Sequence, residues 1–314
     1  MEQRNLGRSG LRVSAVGLGC NNFGSRIDFE TTRKVVHKAL DLGVTFFDTS
    51  DTYGDPSGSS ETWLGKILGD HRNNIVLATK FARPMDGSDR LQGASRRYIM
   101  GEVEASLRRL KTDWIDLYQQ HQPDPLTPIE ETLRALDDLV RHGKVRYIGC
   151  STLPAWQVVE AQWTARHLGL HQFVSCQDEY SLLARDLDRE MMPVLEAYSL
   201  GLIPFRPLAD GLLAGKYSRG EPPPAGTRLA TTPRAAQRNL TDENWSIVER
   251  LEQFATERGH LLLELAFSWL LRRPAVASVI AGATKPEQVE QNVRAAGWAL
   301  TAEDMREIDR LTVR

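Results

Sequence analysis

Residues 45–54 are Thr-Phe-Phe-Asp-Thr-Ser-Asp-Thr-Tyr-Gly, and this stretch indicates both the fold and the position of a site. Two aromatic side chains beside a β-branched residue predict a buried strand, which follows a helix that ends at Gly43. Asp48 lies where the strand ends, and Tyr53 follows in a turn rich in Asp, Thr and Gly. Because burying a carboxylate and a phenol requires polar partners, we expect the rest of the chain to supply them.

The composition argues against several broad classes of protein. The chain has 314 residues, 41% of them hydrophobic and 25% charged, so it can bury a sizeable core. The formal net charge of −2 gives no electrostatic reason to expect nucleic acid or an anionic membrane as a partner. The N-terminus has no apolar signal segment, and no stretch approaches the roughly 20 apolar residues that span a bilayer. Three isolated cysteines suit a reducing compartment, so we expect a cytoplasmic protein.

Predicted strands alternate with predicted helices along the chain. The strands are expected at 16–20, 45–49, 74–80, 114–121, 145–151, 173–177, 202–205 and 278–281. Because alternation implies parallel pairing and eight parallel strands close a barrel, the sequence predicts a single (β/α)8 TIM barrel over residues 1–314. An N-terminal β-hairpin over 2–14 and extra C-terminal helices, including 302–311, complete it. A doubly wound sheet is the alternative, disfavoured because the early glycines are not at G-x-G-x-x-G spacing.

One long connection, residues 209–240, shows neither helical nor strand periodicity. It contains three consecutive prolines and several glycines. Loops of this length in compact domains are usually lids, binding loops or disordered segments. We predict a long loop over the barrel mouth.

Titratable side chains stand at the ends of three consecutive predicted strands. Asp48, Lys80 and His121 end the second, third and fourth strands, and Tyr53 begins the loop after the second. The C-terminal ends of the strands build the active site of such a barrel, so the four groups are expected to converge there. Asp48 with Lys80 alone could equally be a structural ion pair, but four groups at one mouth favour a site.

Carbonyl chemistry suits this set. An ammonium from Lys80 beside Tyr53 is expected to lower the pKa of the phenol toward neutrality, and Asp48 would keep that ammonium charged and in place. His121 could then donate a hydrogen bond to a substrate oxygen. The sequence shows no nucleophile-elbow serine and no metal-ligand motif, so no metal is expected.

Over nearly its whole length the chain resembles the aldo-keto reductases. The resemblance is carried by FFDTSDTYG at 46–54, ATK at 78–80, DLYQQHQPDP at 116–125, GCST at 149–152, CQDEYSLL at 176–183, IPFRPLADGLLAGKY at 203–217 and IAGATKPEQVEQN at 280–292. It implies an oxidoreductase that reversibly transfers hydride between a nicotinamide cofactor and an aldehyde or ketone. By the same resemblance Tyr53 is the general acid, Lys80 and Asp48 tune it, and His121 orients the carbonyl.

The resemblance also implies residues for the nicotinamide and the pyrophosphate. Ser151 and Gln177 match partners of the carboxamide, and Thr152 stands where many members have Asn. Phe205 replaces the usual Tyr that stacks on the nicotinamide. Arg206 stands where Ser is common, as either a pyrophosphate contact or a solvated loop charge. Pro207, Leu208 and Gly211 complete this segment.

The segment that would hold the adenosine end follows the last predicted strand. Gly282, Thr284, Lys285, Gln288 and Asn292 match the family there. Lys285 would face a 2′-phosphate, which favours NADP(H) over NAD(H); alternatively, it is an exposed residue opening the last barrel helix.

The substrate is a small carbonyl or alcohol compound that the sequence does not identify further. Asn22, Phe23, Arg83 and Gln122 are expected to edge its pocket because they follow strand ends. Two other functions remain open at this stage: a redox-sensing accessory subunit of the potassium-channel beta type, and a barrel lyase in which Lys80 forms a Schiff base.

Overall fold

Strands and helices alternate along the chain in this computed structural model, which describes residues 1–85 and 91–313. The strands are β1 Gln3–Asn5, β2 Arg12–Ser14, β3 Val16–Gly19, β4 Phe46–Asp48, β5 Val76–Phe81, β6 Ile115–Gln120, β7 Val145–Ser151, β8 Ser175–Gln177, β9 Gly201–Leu202 and β10 Val279–Gly282. The helices are α1 Phe29–Asp41, α2 Ser59–Ile67, α3 Arg96–Leu110, α4 Ile129–Arg141, α5 Ala155–Leu168, α6 Met191–Tyr198, α7 Arg228–Thr231, α8 Pro233–Asn239, α9 Asp242–Glu257, α10 Leu262–Leu271, α11 Pro286–Arg294 and α12 Ala302–Leu311.

Eight parallel strands form the barrel sheet. Their order is β10-β3-β4-β5-β6-β7-β8-β9, so each strand from β3 to β8 lies beside the next one along the chain, and β10 lies beside β3. A parallel bridge between Leu202 and Val276 joins β9 to the segment that leads into β10, and this bridge closes the sheet. Leu202 donates its N–H to Ala275 O at 2.7 Å and accepts from Ala277 N at 3.0 Å. The predicted (β/α)8 barrel is therefore confirmed.

The core has an inner and an outer layer, because side chains alternate across each strand. The inner cluster contains Phe46, Ala78 and Leu117 from successive strands. Leu6 and Val13 of the hairpin segment belong to the same inner cluster, so the hairpin closes the N-terminal end of the barrel. The outer cluster, which includes the neighbouring Phe47, packs the strands against the helices. The C-terminal end of the barrel is thus the end left for a site.

Two parts of the chain differ from the sequence-based expectation. The strand expected at 202–205 comprises only Gly201–Leu202, because Pro204 has no N–H with which to continue a ladder. The connection 209–240 is not free of helix: it contains a 3₁₀ turn, Ala209–Ala214, and the helices α7 and α8. Its position over the barrel mouth remains a prediction, although Arg26, in the loop after β3, donates to Thr231 Oγ1 at 3.3 Å.

Among residues 1–85 and 91–313, no helix has both the length and the apolar character needed to cross a bilayer.

Candidate active site

The alternation of side chains along β4 and β5 brings Asp48 and Lys80 into the barrel. Phe46 and Ala78 lie in the inner cluster, and Asp48 and Lys80 follow them by two residues, so they share the inward face. Asp48 is 2% exposed and Lys80 is 0% exposed. Two opposite charges are therefore buried side by side where the barrel opens.

The buried ion pair is also hydrogen-bonded. Lys80 Nζ lies 2.6 Å from Asp48 Oδ2, donates to Thr49 O at 2.9 Å and lies 3.4 Å from Tyr53 Oη. Burial alone would lower the pKa of Lys80, but Asp48 and Tyr53 outweigh that effect and raise it. The ammonium is therefore charged at neutral pH, and one of its contacts is the phenol.

The second oxygen of Asp48 accepts hydrogen bonds from two amides. Gln177 donates through Nε2 to Asp48 Oδ1 at 2.8 Å, and Gln119 does so at 3.2 Å. Sequence reasoning missed Gln119, although its signal was available: it lies two residues before His121 and therefore on the same face of the strand predicted at 114–121. These amides fix the carboxylate in position and so fix the ammonium behind the phenol.

The pKa of Tyr53 differs from the expectation. Burial of its hydroxyl raises the pKa above the ordinary value, and the opposing effect of Lys80 is smaller. The expected lowering is therefore wrong, because the sequence identifies the neighbouring cation but not the extent of desolvation. The phenol is protonated at neutral pH, which suits a proton donor.

His121 lies against Tyr53, with the ring centroids 5.7 Å apart and the ring planes at 79°. Burial, followed by the charges of Lys80 and Arg83, places the pKa of His121 well below its usual value. The imidazole is therefore neutral at neutral pH. Its Nδ1 atom lies 3.0 Å from Ser50 Oγ, which leaves Nε2 to face a ligand.

The ends of β7 and β8 are joined by a second buried carboxyl group. Ser151, the last residue of β7, is buried, and Thr152 follows it in the left-handed region with φ of 57°. Thr152 donates its N–H to Asp178 Oδ1 at 2.9 Å and its hydroxyl to His121 O at 3.2 Å. Burial raises the pKa of Asp178 to about 7. Sequence reasoning did not single out Asp178, which follows Gln177 directly.

Comparison with known proteins identifies the family of this chain. The model of the Aldo/keto reductase family matches residues 15–313. The chain belongs to the aldo/keto reductase family. Its resemblance to aldo-keto reductases, inferred from the sequence motifs, is therefore confirmed.

Relatives in this family carry different names. The chain is 37% identical to "Uncharacterized oxidoreductase YrpG" of Bacillus subtilis, covering 98% of this chain and 94% of that protein. It is 34% identical to "L-glyceraldehyde 3-phosphate reductase" of Escherichia coli K12, covering 98% and 92%. It is also 37% identical to "Probable voltage-gated potassium channel subunit beta" of Oryza sativa, covering 94% and 91%.

In this aldo/keto reductase the segment after β9 contains a paired arginine. Arg206 Nη1 lies 2.8 Å from Glu179 Oε2, and its Nε lies 3.7 Å from Asp210 Oδ1. Its guanidinium carbon is 5.6 Å from the centroid of Phe205. Arg206 is therefore a partly buried, ion-paired side chain, and its contact with a pyrophosphate stays a prediction. The remaining residues assigned to this segment are Pro207, which is buried, and Leu208 and Gly211, which are partly buried.

The segment after β10 forms an open cradle. Gly282 is exposed, and a Cβ there would lie 2.9 Å from Asn22 Nδ2, so only glycine leaves this surface clear. The Oδ1 atom of Asn22 is buried and has no hydrogen-bond partner among the described residues. A clear backbone surface next to an unused buried acceptor fits a bound nucleotide.

The residues after this cradle lead into α11. The N–H and hydroxyl of Thr284 donate to Gln288 Oε1 at 2.7 Å and 3.1 Å. Lys285 is exposed at the N-cap position of α11, and Asn292 is buried on the same helix. A helix N-terminus with an exposed lysine suits a phosphate group.

The expected pocket residues have different surroundings. Arg83 is exposed, and its charge acts to lower the pKa of both Tyr53 and His121, so it lies near these two side chains. Gln122 is partly buried and donates to Ala82 O at 3.3 Å. Phe23 is 0% exposed within the outer core cluster, which disfavours its predicted place on the pocket wall.

Proposed function

We propose that this protein is an NADP(H)-dependent aldo-keto reductase that reversibly reduces an aldehyde or ketone, with Tyr53 as the general acid. The observation that carries the proposal is the contact between Lys80 Nζ and Tyr53 Oη, 3.4 Å apart, with Asp48 behind the ammonium. A cation fixed beside a phenol is the arrangement that stabilises the phenolate left after proton donation. The Gly282 cradle and the start of α11 fit the cofactor, and the protein is proposed to act in the cytoplasm.

Each side chain of the site has a separate role in carbonyl reduction. Bound NADPH supplies a hydride. Tyr53, protonated at neutral pH because burial raises its pKa, donates a proton to the carbonyl oxygen. The ammonium of Lys80 stabilises the resulting phenolate, and neutral His121 donates a hydrogen bond that orients the carbonyl.

The preference for NADP(H) is proposed from Lys285. This side chain is exposed beside the N-terminus of α11, where a helix dipole also favours an anion. An ammonium there would contact the 2′-phosphate that distinguishes NADPH from NADH.

The substrate class is proposed to include anionic carbonyl compounds. Arg83 is exposed and lies near Tyr53 and His121, so its guanidinium could pair with a carboxylate or phosphate on the substrate. The Escherichia coli relative named L-glyceraldehyde 3-phosphate reductase acts, by its name, on such a compound.

The two alternative functions receive less support. A Schiff-base lyase would require a neutral amine, whereas Lys80 is paired with Asp48 at 2.6 Å and its pKa is raised. A channel-accessory role is suggested only by the names of relatives such as the rice protein. A pull-down that recovers a stoichiometric membrane protein would favour that role.

The test is oxidation of NADPH with a panel of neutral and phosphorylated aldehydes and ketones. We expect turnover by the wild type and a fall of roughly 10²–10⁴-fold in Tyr53→Phe, with NADPH affinity retained. Tyr147→Phe is the matched control, because Tyr147 packs in the inner cluster near the hairpin end of the barrel. Equal activity in Tyr53→Phe and wild type would refute the assignment.

A further inference from the structure

His121 is connected through Ser50 to a buried carboxyl group that the proposed reaction does not use. Ser50 Oγ lies 3.0 Å from His121 Nδ1 and 2.9 Å from Asp51 Oδ1. Tyr98 Oη lies 3.3 Å from Asp51 Oδ2. Asp51 is 0% exposed, and Ser50 is likewise buried. A continuous chain of hydrogen-bonding groups therefore runs from the imidazole to α3.

The single proton of Ser50 links the state of Asp51 to that of His121. Thr52 donates its N–H to Ser50 Oγ at 3.3 Å and so occupies one lone pair. If Asp51 is ionised, it can only accept; Ser50 then donates to it, and His121 must donate through Nδ1–H. If Asp51 is a neutral acid, it donates to Ser50, and Ser50 donates to a bare Nδ1. With the partly buried hydroxyl of Thr52, which lies 3.2 Å from Ser50 Oγ, bonded elsewhere, both arrangements satisfy Ser50 Oγ, Asp51 Oδ1 and His121 Nδ1, but they leave opposite tautomers on His121.

Only one of these tautomers serves carbonyl reduction. Since Nδ1 is engaged with Ser50, Nε2 is the nitrogen available to a substrate oxygen. A carbonyl oxygen requires a donor, so Nε2 must carry the proton and Nδ1 must be bare. That state requires Asp51 to be neutral.

The surroundings of Asp51 favour the neutral acid. Glu61 on α2 and Glu102 on α3 are both buried and share one cation, Arg109, which lies 2.6 Å from Glu61 and also contacts Glu102. A third carboxylate charge would leave this group with two uncompensated negative charges. Burial, followed by the charges of Glu61 and Glu102, raises the pKa of Asp51 well above its usual value.

The phenols nearby supply no compensating positive charge. Burial raises the pKa of both Tyr98 and Tyr118, so both stay neutral and neither adds a negative charge beside Asp51. Tyr98 donates to Asp51 Oδ2, which places the acid proton on Oδ1, the atom that faces Ser50. On the other side, burial, followed by the charges of Lys80 and Arg83, lowers the pKa of His121 and keeps the imidazole from becoming a cation.

We propose that Asp51 and Ser50 are positioning residues: a neutral Asp51 donates to Ser50, Ser50 donates to His121 Nδ1, and His121 is thereby held as the Nε2–H tautomer. This inference deepens the proposed function and rests on it for its purpose, although the tautomer itself can be measured without any turnover. No atoms are exchanged with substrate in this relay, which only fixes where the imidazole proton resides.

The direct test is the long-range ¹H–¹⁵N correlation spectrum of the full-length protein labelled at its histidines, recorded near pH 7. The signals of His121 are assigned by their absence in His121→Asn. We expect the Nε2–H tautomer, with Nδ1 unprotonated. The Nδ1–H tautomer in the wild type would overturn the proposal, since it requires an ionised Asp51.

Two variants test the relay itself. Asp51→Asn can still donate an N–H to Ser50 and accept from Tyr98, so the Nε2–H tautomer is expected to persist. Ser50→Ala removes the donor to Nδ1, so a mixture of tautomers is expected, with kcat lowered roughly 10-fold and NADPH affinity unchanged. Ser246→Ala, which removes an exposed hydroxyl bonded to Asp242 O, is the control. An unaltered His121 spectrum in Ser50→Ala would refute the relay.

The outcomes separate the two proposals. The Nε2–H tautomer in a protein that oxidises no NADPH with any carbonyl compound would support the relay and contradict the proposed function. Carbonyl reduction by a protein whose His121 is the Nδ1–H tautomer would support the proposed function and contradict the relay.

Discussion

Replacing Asp178 with Asn should change how the stability of the protein depends on pH. Asp178 is buried, its Oδ1 accepts from Thr152 N at 2.9 Å, and its Oδ2 is buried with no partner among the described residues. Burial raises its pKa to about 7 in the folded protein. An Asn at this position can still accept from Thr152 but cannot ionise.

The size of the effect follows from the two pKa values. An Asp in an unfolded chain has a pKa of about 3.9, so the unfolded state releases its proton first as the pH rises. The stabilising contribution of the buried acid is fully present below about pH 4 and is lost as the pH rises through about 7. The total loss is about 4 kcal/mol, of which roughly 2–3 kcal/mol falls between pH 5 and pH 8. The Asp178→Asn variant has no ionisable group at this position, so its free energy of unfolding does not fall in this way.

Urea unfolding of wild type and Asp178→Asn at pH 5, 6, 7 and 8 measures the effect. The free energy of unfolding of the variant, relative to that of the wild type, should increase by roughly 2–3 kcal/mol across this range. If the Asn side chain changes the stability by an amount that does not depend on pH, that amount cancels, because only the change with pH is compared. Asp113→Asn, at an exposed position, is the control. A difference between variant and wild type that does not change with pH would refute the reasoning.

Three further predictions concern the charged groups of the site. In a fluorescence titration, Lys285→Ala should weaken NADPH binding about tenfold, the equivalent of about 1.4 kcal/mol, and leave NADH binding unchanged. An equal loss of affinity for both cofactors would contradict the 2′-phosphate contact. Lys80→Met should lower the free energy of unfolding, measured with urea, by about 3–5 kcal/mol, because Asp48 is left buried without its partner. Adding Asp48→Asn should restore part of the lost free energy. No loss in the single variant would show that the ion pair is not needed for stability. Arg83→Gln should raise the KM for a phosphorylated aldehyde about tenfold while leaving that for a neutral aldehyde unchanged, and steady-state kinetics showing equal effects would argue against an anionic substrate.

Long periodic segments of the fold were predictable from the sequence. The strand β7, Val145–Ser151, and the helix α12, Ala302–Leu311, have the predicted bounds. Both are long enough for their apolar spacing to identify them. The helices α7 and α8 were missed, because Arg228–Thr231 and Pro233–Asn239 are too short to show a helical period and lie in a segment rich in Pro and Gly.

The site was predictable where strand ends determined it. Asp48, Lys80 and His121 could be placed together because parallel strands bring their C-terminal ends to one rim of the barrel. The direction of the pKa shift of Tyr53 could not be predicted, because it depends on how completely the hydroxyl is desolvated. Asp178 was missed for the same reason, since a carboxyl group in a polar stretch gives no sign in the sequence that it is buried.

Transfer of deuterium from NADPH deuterated at the nicotinamide C4 position to a carbonyl compound tests the proposed function most directly. Mass spectrometry of the alcohol formed by the wild type should show deuterium on the carbinol carbon, and Tyr53→Phe should form roughly 10²–10⁴-fold less of it while still binding the cofactor. Labelled alcohol formed equally by both proteins, or none formed by the wild type with any compound of the panel, would contradict hydride transfer assisted by Tyr53.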